Sequence, residues 1–253
     1  MTLQKNILYK SPVWVELRDV DFTKKMKLSS LFSYFQETAS LAAEDLGYGI
    51  DTLYRDHGVA WVLVRIRVEI DRMPEWNEKI FIETWPQEPG RVEFERDFIV
   101  RDQNGDILIR AISVWVIMDM AKRKLKRGDS IGIHYPGIIK ERAINKKLRK
   151  LKDTGPLQEV YKKVIGYSDI DINGHLNNSK YVDYAMDCFP VENHREYEVK
   201  TLEINFLNES LPGETITLYR NLSNADANLI YIEGVNETSN KTAFKAQVEI
   251  IKR

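Results

Sequence analysis

The stretch SDIDINGHLNNSKYVDYAMDCF, Ser168–Phe189, decides the fold because it has a counterpart upstream. Ser168-Asp169-Ile170-Asp171 matches Arg18-Asp19-Val20-Asp21, and a helix-forming run follows each. Behind the second copy, Asn177 and Asn178 can cap a helix over Asn178–Phe189, whose apolar residues are Tyr181, Val182, Tyr184, Ala185, Cys188 and Phe189. Behind the first, Leu28, Leu31, Phe32, Phe35, Ala39, Ala42, Ala43 and Leu46 recur at helical spacing until Gly47 and Gly49 stop the run.

Strand patterns surround both helices. Ser11–Arg18 alternates Val13, Val15 and Leu17, and Val59–Ile70, Lys79–Trp85, Arg91–Arg101 and Ile107–Met118 follow the first helix. Asn104-Gly105 marks a hairpin between the last two. The second half gives Tyr161–Gly166 before its helix, then Tyr197–Asn208, Glu214–Asn221, Asn228–Asn236 and Lys241–Lys252. Ile70-Asp71-Arg72-Met73-Pro74 also parallels Asn208-Glu209-Ser210-Leu211-Pro212. This order predicts an internal duplication of an α+β unit, an antiparallel sheet wrapped around one long helix. The expected domains are 1–139 and 156–253, joined by a basic linker over 140–155. An apolar slot between helix and sheet would suit an alkyl chain, with Leu31, Phe35, Trp61 and Leu63 as candidate walls in the first half.

The 253 residues allow one large domain or two small ones, and 43% hydrophobic with 30% charged residues is ordinary for a globular protein. Lys and Arg number 37 against 38 Asp and Glu, a formal charge of −1 that gives no general case for nucleic acid or a membrane surface. Within the linker, Lys140–Lys152 holds Lys146, Lys147, Arg149 and Lys150 with a single acid, Glu141. It is either a solvated connector or a docking patch for an acidic carrier. The lone Cys188 excludes an internal disulfide. His57, His134, His175 and His194 lack metal-ligand spacing, and no cofactor motif occurs. Met1–Lys5 shows no targeting signal, and no run approaches a bilayer span, so a cytoplasmic protein is expected. Monomer and homodimer both stay open.

Asp171, Asn173 and His175 lie at alternate positions before a helix. In an extended loop they would face one cavity. A helix N-terminus beside them offers unpaired N–H groups for an oxyanion, and a histidine can act as general base near neutral pH. The alternative is a polar turn made of ordinary turn residues. The first half carries Asp21, Thr23 and Lys25 in the same places, so only the second half has the histidine. Glu209 ends an apolar-alternating strand and could reach a neighbouring loop. Cys188 sits in the apolar pattern of its helix, as a structural thiol would.

Taken with Gln36–Ala39, Trp61–Arg65, Asp71–Trp76, Arg110–Val116 and Asp169–Tyr181, the chain resembles the acyl-ACP thioesterases (ACP, acyl carrier protein) of the FatA/FatB type and their bacterial relatives. The resemblance runs from about Val13 to Lys252. It implies a double hotdog fold and hydrolysis of fatty acyl-ACP, releasing free fatty acid without a cofactor. It also implies that Asp171, Asn173, His175 and Glu209 form the catalytic set. Plant relatives often carry cysteine after that glutamate; here Ser210 stands there, which removes a covalent thiol route. We expect direct attack by water, activated by His175 or Glu209, with Asn173 and N–H groups near Asn177–Ser179 holding the carbonyl oxygen. Asp171 would hold the loop and tune His175. A hotdog acyl-CoA thioesterase is the nearest alternative. A hotdog dehydratase and a non-enzymatic acyl-binding module are the others.

Overall fold

The computed structural model describes residues 7–152, 155–221 and 228–253. Met1–Lys5, where no targeting signal was found, and Asp153 and Thr154 of the expected linker lie outside them. The chain divides into two compact units. Unit 1 comprises Met1–Met26, Ser33–Ile66 and Asp71–Leu148, and unit 2 comprises Lys27–Phe32, Arg67–Ile70 and Arg149–Arg253.

The first repeat lies mostly in unit 1, with Leu28–Phe32 and Arg67–Ile70 grouped in unit 2: β1 (Tyr9–Trp14) leads to α1 (Leu28–Leu46) and a shorter α2 (Ile50–His57). Then come β2 (Val59–Ile70), β3 (Lys79–Pro86), β4 (Glu93–Arg101), β5 (Ile107–Asp119) and the short β6 (Lys124–Lys126). The strands lie in the order β1-β3-β4-β5-β2, with β6 on β5. β1 pairs antiparallel with β3 from Tyr9 opposite Thr84 to Trp14 opposite Lys79. The β4–β5 hairpin turns at Gly105, which takes φ 91°, where a residue without Cβ is favoured. Phe35 of α1 packs on Phe98 of β4 at 4.7 Å between ring centroids.

Unit 2 repeats the plan. β7 (Gln158–Val164) precedes α3 (Asn178–Met186) and the single-turn α4 (Asn193–Glu196). The strands β8 (Tyr197–Phe206), β9 (Thr215–Asn221), β10 (Leu229–Asn236) and β11 (Lys241–Lys252) follow, in the order β8-β11-β10-β9-β7. The Asn177 side chain accepts from the Ser179 N–H and starts α3. The helix ends at Met186, short of the expected Phe189, because Pro190 disfavours helical backbone in the residue before it. Tyr181 packs on Phe206 and Phe244 at 5.7 and 5.4 Å.

Equivalent hydrogen bonds prove the duplication position by position. The Asp21 N–H donates to the Lys25 carbonyl, and the Asp171 N–H to that of His175. Val15 N–H reaches Glu78 O as Ile165 N–H reaches Glu214 O. The Tyr34 hydroxyl meets the Asp19 carboxylate, and the Tyr184 hydroxyl that of Asp169. Met26 N–H donates to Pro74 O, and Leu176 N–H to Ser210 O. Pro74 therefore corresponds to Ser210 and Met73 to Glu209. The sequence alignment that set Pro74 against Pro212 is two residues out of register. β1 also ends earlier than the alternation of Val13, Val15 and Leu17 suggests. The Glu16 N–H is taken by the Asp19 carboxylate, which winds Leu17–Asp19 into a 3-10 turn.

The basic segment is anchored more closely than a free connector. Ile144 and Leu148 are buried against Ile112 and Val114. The Asp97 carboxylate, whose pKa burial holds above the usual range, accepts the Ala143 N–H at 2.7 Å and pairs with Arg142 at 3.1 Å. Lys146, Lys147, Arg149 and Lys150 remain exposed.

Candidate active site

The Asp171–His175 segment is a tight turn, not the extended loop that alternate spacing suggested. The Asp171 carboxylate accepts the backbone N–H of Asn173 at 2.8 Å and of His175 at 3.2 Å. The Gly174 N–H donates to the Asp171 carbonyl, and Gly174 takes φ 78°. Asp171 is thus the keystone of the turn, a common use of a short side chain that can bond its own backbone. Its Oδ1 faces the backbone donors of Asn173 and His175. The Asn173 side-chain amide lies 3.4 Å from Asp171 Oδ2, a long bond on an exposed residue.

The turn is tied to the end of β8. The Leu176 N–H donates to the Ser210 carbonyl at 2.9 Å, which brings the neighbouring Glu209 beside the turn. The His175 Nε2 and a Glu209 carboxylate oxygen stand 3.6 Å apart, with 24% and 38% of the respective side chains exposed. An imidazole and a carboxylate that close, open to solvent on one side, can share a water molecule and remove its proton. Of the four residues carried over from the resemblance, Asp171, Asn173 and His175 share one turn and Glu209 reaches it from another element.

The oxyanion donors are fewer than the segment Asn177–Ser179 suggests. The Asn177 N–H is bonded to the Asp169 carbonyl and the Ser179 N–H to the Asn177 side chain. Among the described residues this leaves the Asn178 N–H at the start of α3. Below the turn, Tyr181 is nearly fully buried, and its hydroxyl lies 3.4 Å from the Asn208 carbonyl. Burial pushes its phenol up to about 12. Sequence reasoning passed over Tyr181 because it fits the apolar side of the helix. The useful signal is its counterpart in the duplication, Leu31, which has no hydroxyl.

Cys188 offers no nucleophile. It is buried, its thiol is pushed up to about 12 by burial, and it donates to the Tyr184 carbonyl at 3.5 Å. Its counterpart Thr38 makes the same contact with Tyr34.

The four acyl-wall candidates are Leu31 and Phe35 on α1 and Trp61 and Leu63 on β2. Leu31, Phe35 and Leu63 are buried. Leu31 falls in the stretch grouped with unit 2, the others in unit 1. Phe35 meets Phe98, while Trp61 meets Phe94 edge-on at 5.0 Å and donates its indole N–H to the Tyr48 carbonyl.

Residues 6–129 match the family model described as the acyl-ACP thioesterase N-terminal domain, and residues 157–251 match that of the C-terminal domain. The chain is 29% identical over 226 residues to an oleoyl-acyl carrier protein thioesterase, chloroplastic, of Coriandrum sativum, covering 81% of this chain and 60% of that protein. A palmitoyl-acyl carrier protein thioesterase, chloroplastic, of Arabidopsis thaliana is 25% identical over 222 residues, covering 82% and 53%. The chain thus spans somewhat over half the length of these relatives. A crystal structure of an acyl-ACP thioesterase from Bacteroides thetaiotaomicron superposes with a TM-score of 0.87 at 27% identity, covering 99% of this chain and all of that one. The 12:0-ACP thioesterase of Umbellularia californica shares the fold, with a TM-score of 0.81 at 22% identity.

Proposed function

The chain belongs to the acyl-ACP thioesterase family, and from that premise we propose that it hydrolyses the thioester of fatty acyl-ACP, releasing free fatty acid and ending chain extension. The observation that carries this reading is the 3.6 Å approach of His175 to Glu209, in the repeat that alone has these side chains. Lys25 and Met73 occupy the corresponding places in the first repeat. We assign water as the nucleophile, with the His175–Glu209 pair removing its proton as it attacks the thioester carbon. Asp171 holds the turn. The Asn173 amide and the Asn178 N–H take the carbonyl oxygen as it gains charge, a role in which loss of one donor typically raises the barrier by about 2.7–4 kcal/mol. The acyl chain would lie along Phe35, Trp61 and Leu63, with Leu31 as a further candidate. The exposed Lys146, Lys147, Arg149 and Lys150 would meet the acidic carrier, and the enzyme would be cytoplasmic.

The alternative substrate is an acyl-CoA, and one comparison separates the two. The same acyl group is presented on ACP and on coenzyme A, and free thiol and free fatty acid are both measured. We expect a higher kcat/KM for the carrier thioester. Equal or faster turnover of the CoA thioester would replace this reading with the acyl-CoA one.

A further inference from the structure

The duplication works as an internal control. Contacts kept in both repeats belong to the fold: Asp19 with Tyr34 and Asp169 with Tyr184, or Thr38 and Cys188 on their helix carbonyls. Groups found only in the second repeat are candidates for chemistry. Asn173, His175 and Glu209 are such groups, and so is the Tyr181 hydroxyl, which replaces Leu31. The first repeat lacks both the carboxylate, at Met73, and the hydroxyl, at Leu31.

The phenol is placed to act on the segment that bears Glu209. Its ring is fixed between Phe206 at the end of β8 and Phe244 of β11. Its hydroxyl lies 3.4 Å from the Asn208 carbonyl, one residue before Glu209. On the other side of Glu209, the Ser210 carbonyl is held by the Leu176 N–H at 2.9 Å. The buried Ser210 side chain lies within hydrogen-bonding reach of the phenol and favours its ionised form, while the nearby Glu209 and Asp171 carboxylates oppose that form. Leu207 and Asn208 both direct their backbone N–H groups to the Ala243 carbonyl of β11, and the Asn208 side-chain amide donates to the Thr242 carbonyl at 2.8 Å, so the chain leaves β11 only after Asn208. Glu209 therefore sits on an exposed strand end held from two sides: through Asn208 by β11 and the Tyr181 hydroxyl, and through Ser210 by the Leu176 N–H.

We propose that Tyr181 is a positioning residue for the hydrolytic step, its hydroxyl holding the Asn208 carbonyl so that the Glu209 carboxylate stays beside His175. This rests on the assignment of His175 and Glu209 made above. A small displacement of a reacting group is enough to slow an enzyme strongly, so the hydroxyl matters for rate more than for stability.

Tyr181→Phe removes the hydroxyl and keeps the ring against Phe206 and Phe244. In the full chain, with an acyl-ACP substrate, kcat should fall between about ten- and a hundredfold. KM and melting temperature should stay close to wild type. Since Tyr181 acts through Glu209, adding Tyr181→Phe to Glu209→Gln should cost little beyond Glu209→Gln alone. Fully multiplicative losses in the double variant would overturn the proposal. So would an unchanged kcat per folded molecule, with or without a lower melting temperature. If Glu209→Gln alone keeps wild-type turnover, it is the functional assignment that fails, and this inference falls with it.

Discussion

Gly174 takes φ 78° inside the Asp171–His175 turn, a left-handed conformation that costs an L-residue roughly 1–2 kcal/mol. Lys24 holds the equivalent turn of the first repeat at φ 64°, so the geometry admits a side chain. No atom lies within 4 Å of a Cβ placed at Gly174. Gly174→Ala should therefore fold and lose about 1 kcal/mol in chemical denaturation. A much larger loss would mean that the turn depends on glycine for more than backbone freedom. At this scale the site was partly legible in the sequence. The contrast of His175 with Lys25 was visible because the turn residues around both are conserved in type. Glu209 was visible mainly through the family resemblance, since the duplicated prolines Pro74 and Pro212 drew the register two residues away from the pairing the hydrogen bonds reveal. The role of Asp171 was legible in part, as the holder of the loop. Its turning toward backbone donors depends on φ and ψ values that residue spacing does not encode.

Elements with strong periodicity were legible and those shaped by local bonds were not. The bounds of α1, β2 and β11 follow their apolar patterns residue for residue. The eight-residue α2 was missed, being short and framed by Gly49 and Gly58, which read as loop punctuation. The basic segment was read by its charges, while Ile144 and Leu148, four residues apart, are what hold it down. Packing behind the site is equally specific. A Cβ at Gly234 in β10 would stand 2.2 Å from the Phe244 ring, which itself rests on Tyr181. Overpacking a well-filled core typically costs about 1–3 kcal/mol. Gly234→Ala should lower the melting temperature accordingly and also reduce kcat, because the displaced ring pushes on Tyr181. A stable variant with full activity would show that the Phe244 ring has room to move and that Tyr181 tolerates it.

Across the whole molecule, two tandem hotdog units share one plan, and the second alone has the His175–Glu209 pair to which we assign the chemistry. Both retain the aspartate–tyrosine contact and the turn before the helix, which maintain the fold. The first has Lys25 and Met73 where the second has His175 and Glu209. Such a division leaves the first repeat free to serve substrate binding. It also makes a sharp demand, since removing one side chain from the second repeat should silence the chain although the first repeat is intact. The decisive measurement is the rate of free fatty acid release from an acyl-ACP thioester by purified His175→Ala, with folding verified by circular dichroism. We expect turnover to fall at least about a hundredfold, as loss of a general base requires. Near wild-type release by the folded variant would contradict the account.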